Sequence, residues 1–254
     1  MLAITHIPSP AMQQCELTFL ARAPIDYALA VEQHEQYCRM LGRCGAAVKV
    51  LDANRQMPDC CFVEDTALVL DELAIMMSMG AAARRGERPA IESELRKHRN
   101  VSRIETPALI DGGDILQVDR KLLVGLSSRT NAAGAAALQA IVEPHGYTVT
   151  AVPVLRCLHV KSACTALPDG RLLVNPNWID VTALCGRDLV SVPPEEPAAA
   201  NVRSIGQTVC LPVAFPRTAE LIARRGFAVE TIDLSEFAKA EGGVTCLSLL
   251  ISWM

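Results

Sequence analysis

A cysteine serves as a nucleophile only where its thiol can be reached and ionised, and Cys246 stands in a stretch suited to presenting one. It follows the pair Gly242-Gly243 and precedes the apolar run Leu247-Ser248-Leu249-Leu250-Ile251. Two glycines allow a tight backbone approach, and the run predicts a short buried strand with the thiol at its mouth. Free cysteine also behaves as a small hydrophobe, and the chain has 10 cysteines, so this stretch by itself favours a packing role. What sets Cys246 apart is its register with an acid pair, Glu64 and Asp65, a second pair, Asp111 and Asp114, and a histidine, His159. A thiol, a histidine and carboxylates brought together can perform nucleophilic and acid–base chemistry on a cationic substrate.

The elements that must position these residues repeat along the chain. Units begin at Phe62, Gly112, Leu158, Asn201 and Gly243, 50, 46, 43 and 42 residues apart. Each reads as strand, strand, helix, strand, and such a period marks a propeller. In the first unit, Phe62 to Leu70 and Leu73 to Met77 predict a hairpin, followed by a helix whose charged face carries Glu92, Glu94, Arg96 and Lys97, then a strand from Val101 to Glu105. An Ala-rich helix from Ala132 belongs to the second unit, and a turn at Pro168-Asp169-Gly170 to the third. The fifth unit lacks its helix and last strand. The first 60 residues offer both, a helix from Ile25 to Gly42 and a strand from Ala46 to Leu51, so pairing of the N- and C-terminal segments closes the ring. The expected fold is thus α/β, a five-bladed propeller of ββαβ units in one domain over 1–254. The reactive residues lie at or just before the same place in each unit, and the pseudo-symmetry brings them to one centre. Residues 9–24 are polar, without periodicity, and predict a lid over that centre.

Composition excludes several other functions. The formal charge of -4 gives no basic footprint for nucleic acid. No apolar run reaches the roughly 18 residues of a membrane span, and the opening Met1-Leu2-Ala3-Ile4-Thr5-His6 lacks a cationic leader, which predicts a cytoplasmic chain with reduced thiols. The cysteines, at 15, 38, 44, 60, 61, 157, 164, 185, 210 and 246, show no zinc-type spacing. Cys60 and Cys61 are expected on opposite faces of a strand, as packing. His6, His34, His98 and His145 fall in ordinary contexts. The partner expected is a small molecule, and a homodimer is one assembly open to such a chain.

Six short motifs, F-V-E-D at 62–65, R-R-G-E at 84–87, D-G-G-D at 111–114, S-R-T-N at 128–131, L-H-V-K at 158–161 and G-G-V-T-C at 242–246, occur in an order that resembles the dimethylarginine dimethylaminohydrolase family. The resemblance spans nearly the whole chain. It implies a guanidine-modifying propeller, cleaving Nω-methylated arginine to citrulline and an alkylamine, with arginine or hydroxyarginine hydrolysis and, further off, amidino transfer as alternatives. By the resemblance Cys246 is the nucleophile, His159 the general acid and base, and Asp111 the carboxylate orienting it, although some family members have Glu there. Glu64 and Asp65 correspond to the acids holding the guanidinium. Asp59 and the backbone of Leu17 and Ala240 match contacts to the amino-acid end, and Arg84 and Arg129 match the carboxylate clamp. Asp114 is expected to support Asp111 as a turn residue. The residue types suit this chemistry, since a guanidinium needs carboxylates to hold it and a thiolate to attack it, with no metal or organic cofactor required.

Overall fold

The computed structural model describes residues 1–184 and 186–253, so Cys185 lies outside the described residues. The repeat resolves into five three-stranded sheets. First in the chain come β1 (Leu2–His6), α1 (Tyr27–Arg43) and β2 (Ala47–Leu51). The next unit holds β3 (Ala67–Val69), β4 (Leu73–Met76), α2 (Arg88–Leu95) and β5 (Asn100–Arg103), and the one after it β6 (Ile115–Val118), β7 (Lys121–Leu126), α3 (Ala132–Val142) and β8 (Thr148–Pro153). A single helical turn, α4 (Val160–Ala163), leads into β9 (Cys164–Ala166), β10 (Leu172–Val174) and β11 (Leu189–Ser191), with a 3-10 turn over Val181–Leu184 where a short helix is expected. The fourth unit is β12 (Arg203–Ile205), β13 (Thr208–Pro212), α5 (Pro216–Ala223) and β14 (Ala228–Ile232). Last come α6 (Ser235–Ala238) and β15 (Leu249–Ile251).

In every unit the second strand is central, antiparallel to the first and parallel to the third. The central strands are apolar along their length, as Leu122-Leu123-Val124 and Leu172-Leu173-Val174 show, because both faces of each small sheet are covered. The fifth sheet has the order β15-β1-β2, with Ala3 opposite Leu250, and so joins the two ends of the chain. The N-terminal segment supplies its middle strand as well as the expected helix and last strand. Neighbouring units touch through their first strands, β15 against β3 and β6 against β9.

Capping sets where the helices begin. Asp26 accepts from Leu29 N at the start of α1, and Asn131 from Gly134 N at the start of α3. From α1, Ala30, Tyr37, Met40 and Leu41 enter a core shared with the segment around Cys246. No helix among the described residues is long and apolar enough to cross a membrane.

Three stretches expected as strand starts are coiled instead. Val63–Thr66 and Gly112–Asp114 are 3-10 turns and Val160–Ala163 is helical, each directly before the first strand of its unit. The first two carry buried carboxylates, whose partners are backbone amides and cations at the centre rather than a neighbouring strand, and the third follows His159, which pairs with Asp111. Cys60 and Cys61 are likewise in a turn, and the described cysteines are all free. On α2, Glu92 and Glu94 are only 8% exposed each, covered by Arg96, Arg103 and Lys97.

Candidate active site

Cys246 belongs to a tight turn in which its N–H donates to the Gly243 carbonyl and its Sγ accepts from Gly243 N at 3.3 Å. The turn is held from two sides. Glu64 N donates to the Cys246 carbonyl at 3.1 Å, and the buried Tyr37 hydroxyl of α1 donates to the Val244 carbonyl at 2.9 Å. Gly243 is needed for contact rather than torsion, since a side chain there would strike the Asn201 amide. That amide accepts from Thr245 N and donates to Thr245 Oγ1 and the Lys161 carbonyl.

His159 precedes α4 and is held through Nε2 by Asp111 Oδ2 at 3.0 Å. The aspartate therefore reaches the imidazole despite being the shorter acid. Its other oxygen accepts from Gly80 N at 2.8 Å, and its own N–H donates to Thr130 Oγ1. Asp114 closes the turn on Asp111, its N–H donating to the Asp111 carbonyl at 3.0 Å, and also supports the histidine. It accepts from Val160 N, next to His159, and from Ser127 Oγ, and burial pushes its carboxyl up to about 6. The other imidazole nitrogen, Nδ1, lies 3.8 Å from Asp65 Oδ1. Burial alone would depress the imidazole, but Asp65, Asp114 and Asp111 outweigh it and raise it to about 9. His159 is therefore an imidazolium near neutrality. Gly113 must lack a side chain because both the imidazole and Asp65 crowd its backbone, and Gly113 N donates to Asp65.

Asp65 is desolvated, yet His159 and Arg84 hold its carboxyl below the usual range. Arg84 donates to it at 2.5 Å, to Glu87 through Nε and Nη2, and to the Phe62 carbonyl. Arg129 is 8% exposed, and its guanidinium donates to Thr18 Oγ1 at 3.1 Å. Asp59 accepts from Glu16 N through both oxygens, and burial raises its carboxyl. Cys246, His159, Asp65, Asp59, Arg84, Arg129 and Ala240 line one narrow cleft, with Leu17 beside it in the same segment as the lining residue Glu16. Asp111 stands behind His159.

Glu64 is the exception and corrects the expectation of an acid pair. Its carboxylate accepts from Lys161 Nζ, Arg203 Nη2 and Thr245 Oγ1, at 2.8, 3.0 and 2.6 Å, and lines a separate cavity. Consecutive residues of a 3-10 turn point about 120° apart, so Glu64 and Asp65 cannot face the same cleft. Desolvation opposes its charge, but Lys161 and Arg203 keep its carboxyl low. Arg203 also donates to the carbonyls of Thr245 and Ser248, so this ion cluster forms the floor beneath the nucleophile turn.

The thiol itself is pushed up to about 12 by burial, then by the charges of Glu64 and Asp65. At rest the pair is therefore a thiol beside an imidazolium. Asp65, Asp111 and His159 also bring metal-ligand atoms within 4.8 Å of one another, but Arg84, Gly80 and a ring proton already occupy them.

Several residues at the site escape sequence reasoning. Glu87 and Lys161 stand inside two of the six motifs, and their charge was the available signal. Arg203 has none, being brought in by the fold alone. Glu241 is a further case. At a φ of 58°, a left-handed conformation rarely taken by glutamate, it accepts from three successive amides, Thr18 at 3.0 Å, Phe19 at 2.5 Å and Leu20 at 2.6 Å. With Asp59 and Arg129, it binds residues 16–20 across the cleft.

A family profile for eukaryotic N,N-dimethylarginine dimethylhydrolase matches residues 20–162. The N(G),N(G)-dimethylarginine dimethylaminohydrolase of Streptomyces coelicolor is 39% identical over 248 residues, covering 97% of this chain and 95% of that one. The Pseudomonas aeruginosa enzyme of the same name is 38% identical over 226 residues, covering 88% and 89%. A cysteine-to-serine variant of the P. aeruginosa enzyme, solved in complex with citrulline, superposes with a TM-score of 0.92 at 35% identity, over 97% of each chain. Its architecture agrees with the five units described above. The chain belongs to the dimethylarginine dimethylaminohydrolase family.

Proposed function

We propose that the chain hydrolyses Nω-methylated arginine to citrulline and an alkylamine, through a covalent thiouronium on Cys246. The observation that carries this reading is that His159, held by Asp111 at 3.0 Å, faces the same narrow cleft as Cys246 and Asp65. The citrulline complex of a relative with the same fold supports it.

Asp65 receives the guanidinium. Burial chiefly keeps the thiol protonated, with the charges of Glu64 and Asp65 adding to it, and the incoming cation offsets the Asp65 part, so binding shifts the thiol toward thiolate and its proton leaves to solvent. Sγ then attacks the guanidine carbon. The imidazolium of His159 gives its proton to the departing nitrogen as the carbon–nitrogen bond breaks, leaving a thiouronium. Neutral His159 next takes a proton from water, hydroxide adds to the same carbon, and the thiolate departs and takes up the remaining hydroxyl proton, which releases citrulline and restores the thiol beside a protonated His159. Arg129, whose one side-chain hydrogen bond among the described residues is to Thr18, holds the substrate carboxylate, while Arg84 chiefly orients Asp65. Asp59 with the backbone of Leu17 and Ala240 holds the amino group. Glu64 positions the nucleophile turn and does not touch substrate.

The test is a parallel incubation with asymmetric dimethylarginine, arginine and hydroxyarginine, reading citrulline and released amine. Dimethylarginine is expected to give the highest kcat/KM, and Cys246→Ser to abolish turnover while still binding substrate. Citrulline from the serine variant, or a preference for arginine, would refute the reading.

A further inference from the structure

The cleft at Cys246 opens into a second cavity of quite different character. The charged side, where Asp59, Asp65, Arg84, Arg129 and His159 converge, encloses about 20 Å³, whereas the other encloses about 330 Å³. Both are lined by Leu158, Glu241, Gly242 and Cys246, so the thiol stands at their junction. Beyond the junction the walls are mainly apolar, formed by Trp178, Val213, Phe215 and Leu234, with Phe19 and Leu20 at the lid. Some of the polar groups on this wall are already engaged: the Asn201 amide holds Thr245, and Asp233 accepts from Ser235 N.

Resting on the hydrolase reading above, we infer that this cavity receives the substituent on the leaving nitrogen, and that the chain's substrates include arginines whose Nω group is larger than methyl, from propyl to benzyl. An amino acid anchored through its carboxylate and amino group on the charged side delivers its guanidine carbon to Sγ. The leaving nitrogen departs beside Sγ, and the space that shares Sγ and Leu158 with the charged cleft is the apolar cavity. Two methyl groups occupy a small part of 330 Å³, where about 10–15 Å³ already admits one water. A bare terminal nitrogen would turn its N–H groups toward a wall poor in free acceptors, which disfavours unsubstituted arginine. The chemistry is unchanged by the larger group. The bond from carbon to the substituted nitrogen breaks, His159 supplies the proton to that nitrogen, and one water replaces it, giving citrulline and the longer amine.

Nω-methyl-, Nω-propyl- and Nω-benzyl-L-arginine distinguish the outcomes, with citrulline and amine both measured. For the parent protein kcat/KM is expected to rise from methyl to propyl by roughly fourfold per added methylene, as burial of a CH₂ converts, and benzyl should be turned over at least as well as methyl. Ala198 and Ala214 line the cavity at exposed positions, so Ala198→Phe with Ala214→Phe narrows it without disturbing the core. In that variant benzyl turnover should fall at least tenfold while methylarginine stays within twofold. Normal methylarginine hydrolysis with kcat/KM falling at each added carbon overturns the inference and leaves the hydrolase reading standing. Undiminished benzyl turnover in the narrowed variant also overturns it. Citrulline from none of the three overturns both.

Discussion

His159 owes its charge to three carboxylates, and this has a consequence for stability. Its value of about 9 in the folded chain lies above the ordinary 6.5, so the folded state binds the proton more tightly. The resulting stabilisation is fully present below about pH 6.5 and is lost as pH rises through about 9. Its upper size is about 3 kcal/mol, from roughly 1.4 kcal/mol per unit. Denaturant unfolding should therefore weaken between pH 7 and 10, and His159→Gln should lower stability at pH 7 and flatten that slope. The alkaline limb of kcat/KM should fall in the same range, because a neutral imidazole cannot protonate the leaving amine. A variant with the parent's pH slope would remove His159 as its source. At this scale the sequence was legible as to which residues meet, since Cys246, His159, Asp65, Arg84 and Arg129 line one cleft. It misled at Glu64, because adjacency in sequence says nothing of direction until the backbone conformation is known.

Elements were legible where apolar periodicity specified them and obscure where buried charge overrode it. The strands at Leu122 to Val124 and Leu172 to Val174, and the Ala-rich helix, follow directly from their residues. The turns at Val63–Thr66 and Gly112–Asp114 do not, since their conformation is imposed by distant partners such as His159 and Lys161. The segment 9–24, expected as a lid, contains one 3-10 turn, Met12–Gln14, and is attached at Thr18 to Leu20 by Glu241, with Asp59 and Arg129 beside it. A carboxylate accepting from several amides contributes more than a neutral oxygen would, about 1.5–3 kcal/mol per bond against about 1. Glu241→Gln should thus speed amide exchange at Thr18, Phe19 and Leu20 by roughly tenfold, from about 1.4 kcal/mol lost. An unreactive arginine analogue should slow the same amides in the parent. Unchanged exchange in the variant would show that Glu241 does not hold the lid.

At the scale of the whole molecule, the spacing of the units was readable because each small sheet must bury its faces against its neighbours, which forces a recurring pattern. The cavity beside the thiol was not readable, since Phe19, Trp178, Phe215 and Leu234 come from separate segments with no shared local signal. The joining sheet also explains how the two halves of the chain serve one nucleophile. Tyr37, in the first helix, holds Val244 and Ser248 on either side of Cys246, and β1 lies between β15 and β2. What the site needs is that joining sheet, wherever the chain ends are placed. Leu2 and Ile251 are register partners, so residues 254 and 1 can be joined by a short flexible linker of about five residues. New ends then fit the turn at Asp169-Gly170, exposed at Asp169, between β9 and β10. This circular permutant is expected to fold and keep kcat/KM within about threefold, at ~0.7 kcal/mol or less of lost transition-state binding. Ile4→Asp, which buries a charge in the middle strand of the joining sheet, should instead lose fold and activity together. A permutant with native circular dichroism but no turnover would mean that the nucleophile turn depends on chain continuity at the β9–β10 turn and not on closure of the fifth sheet.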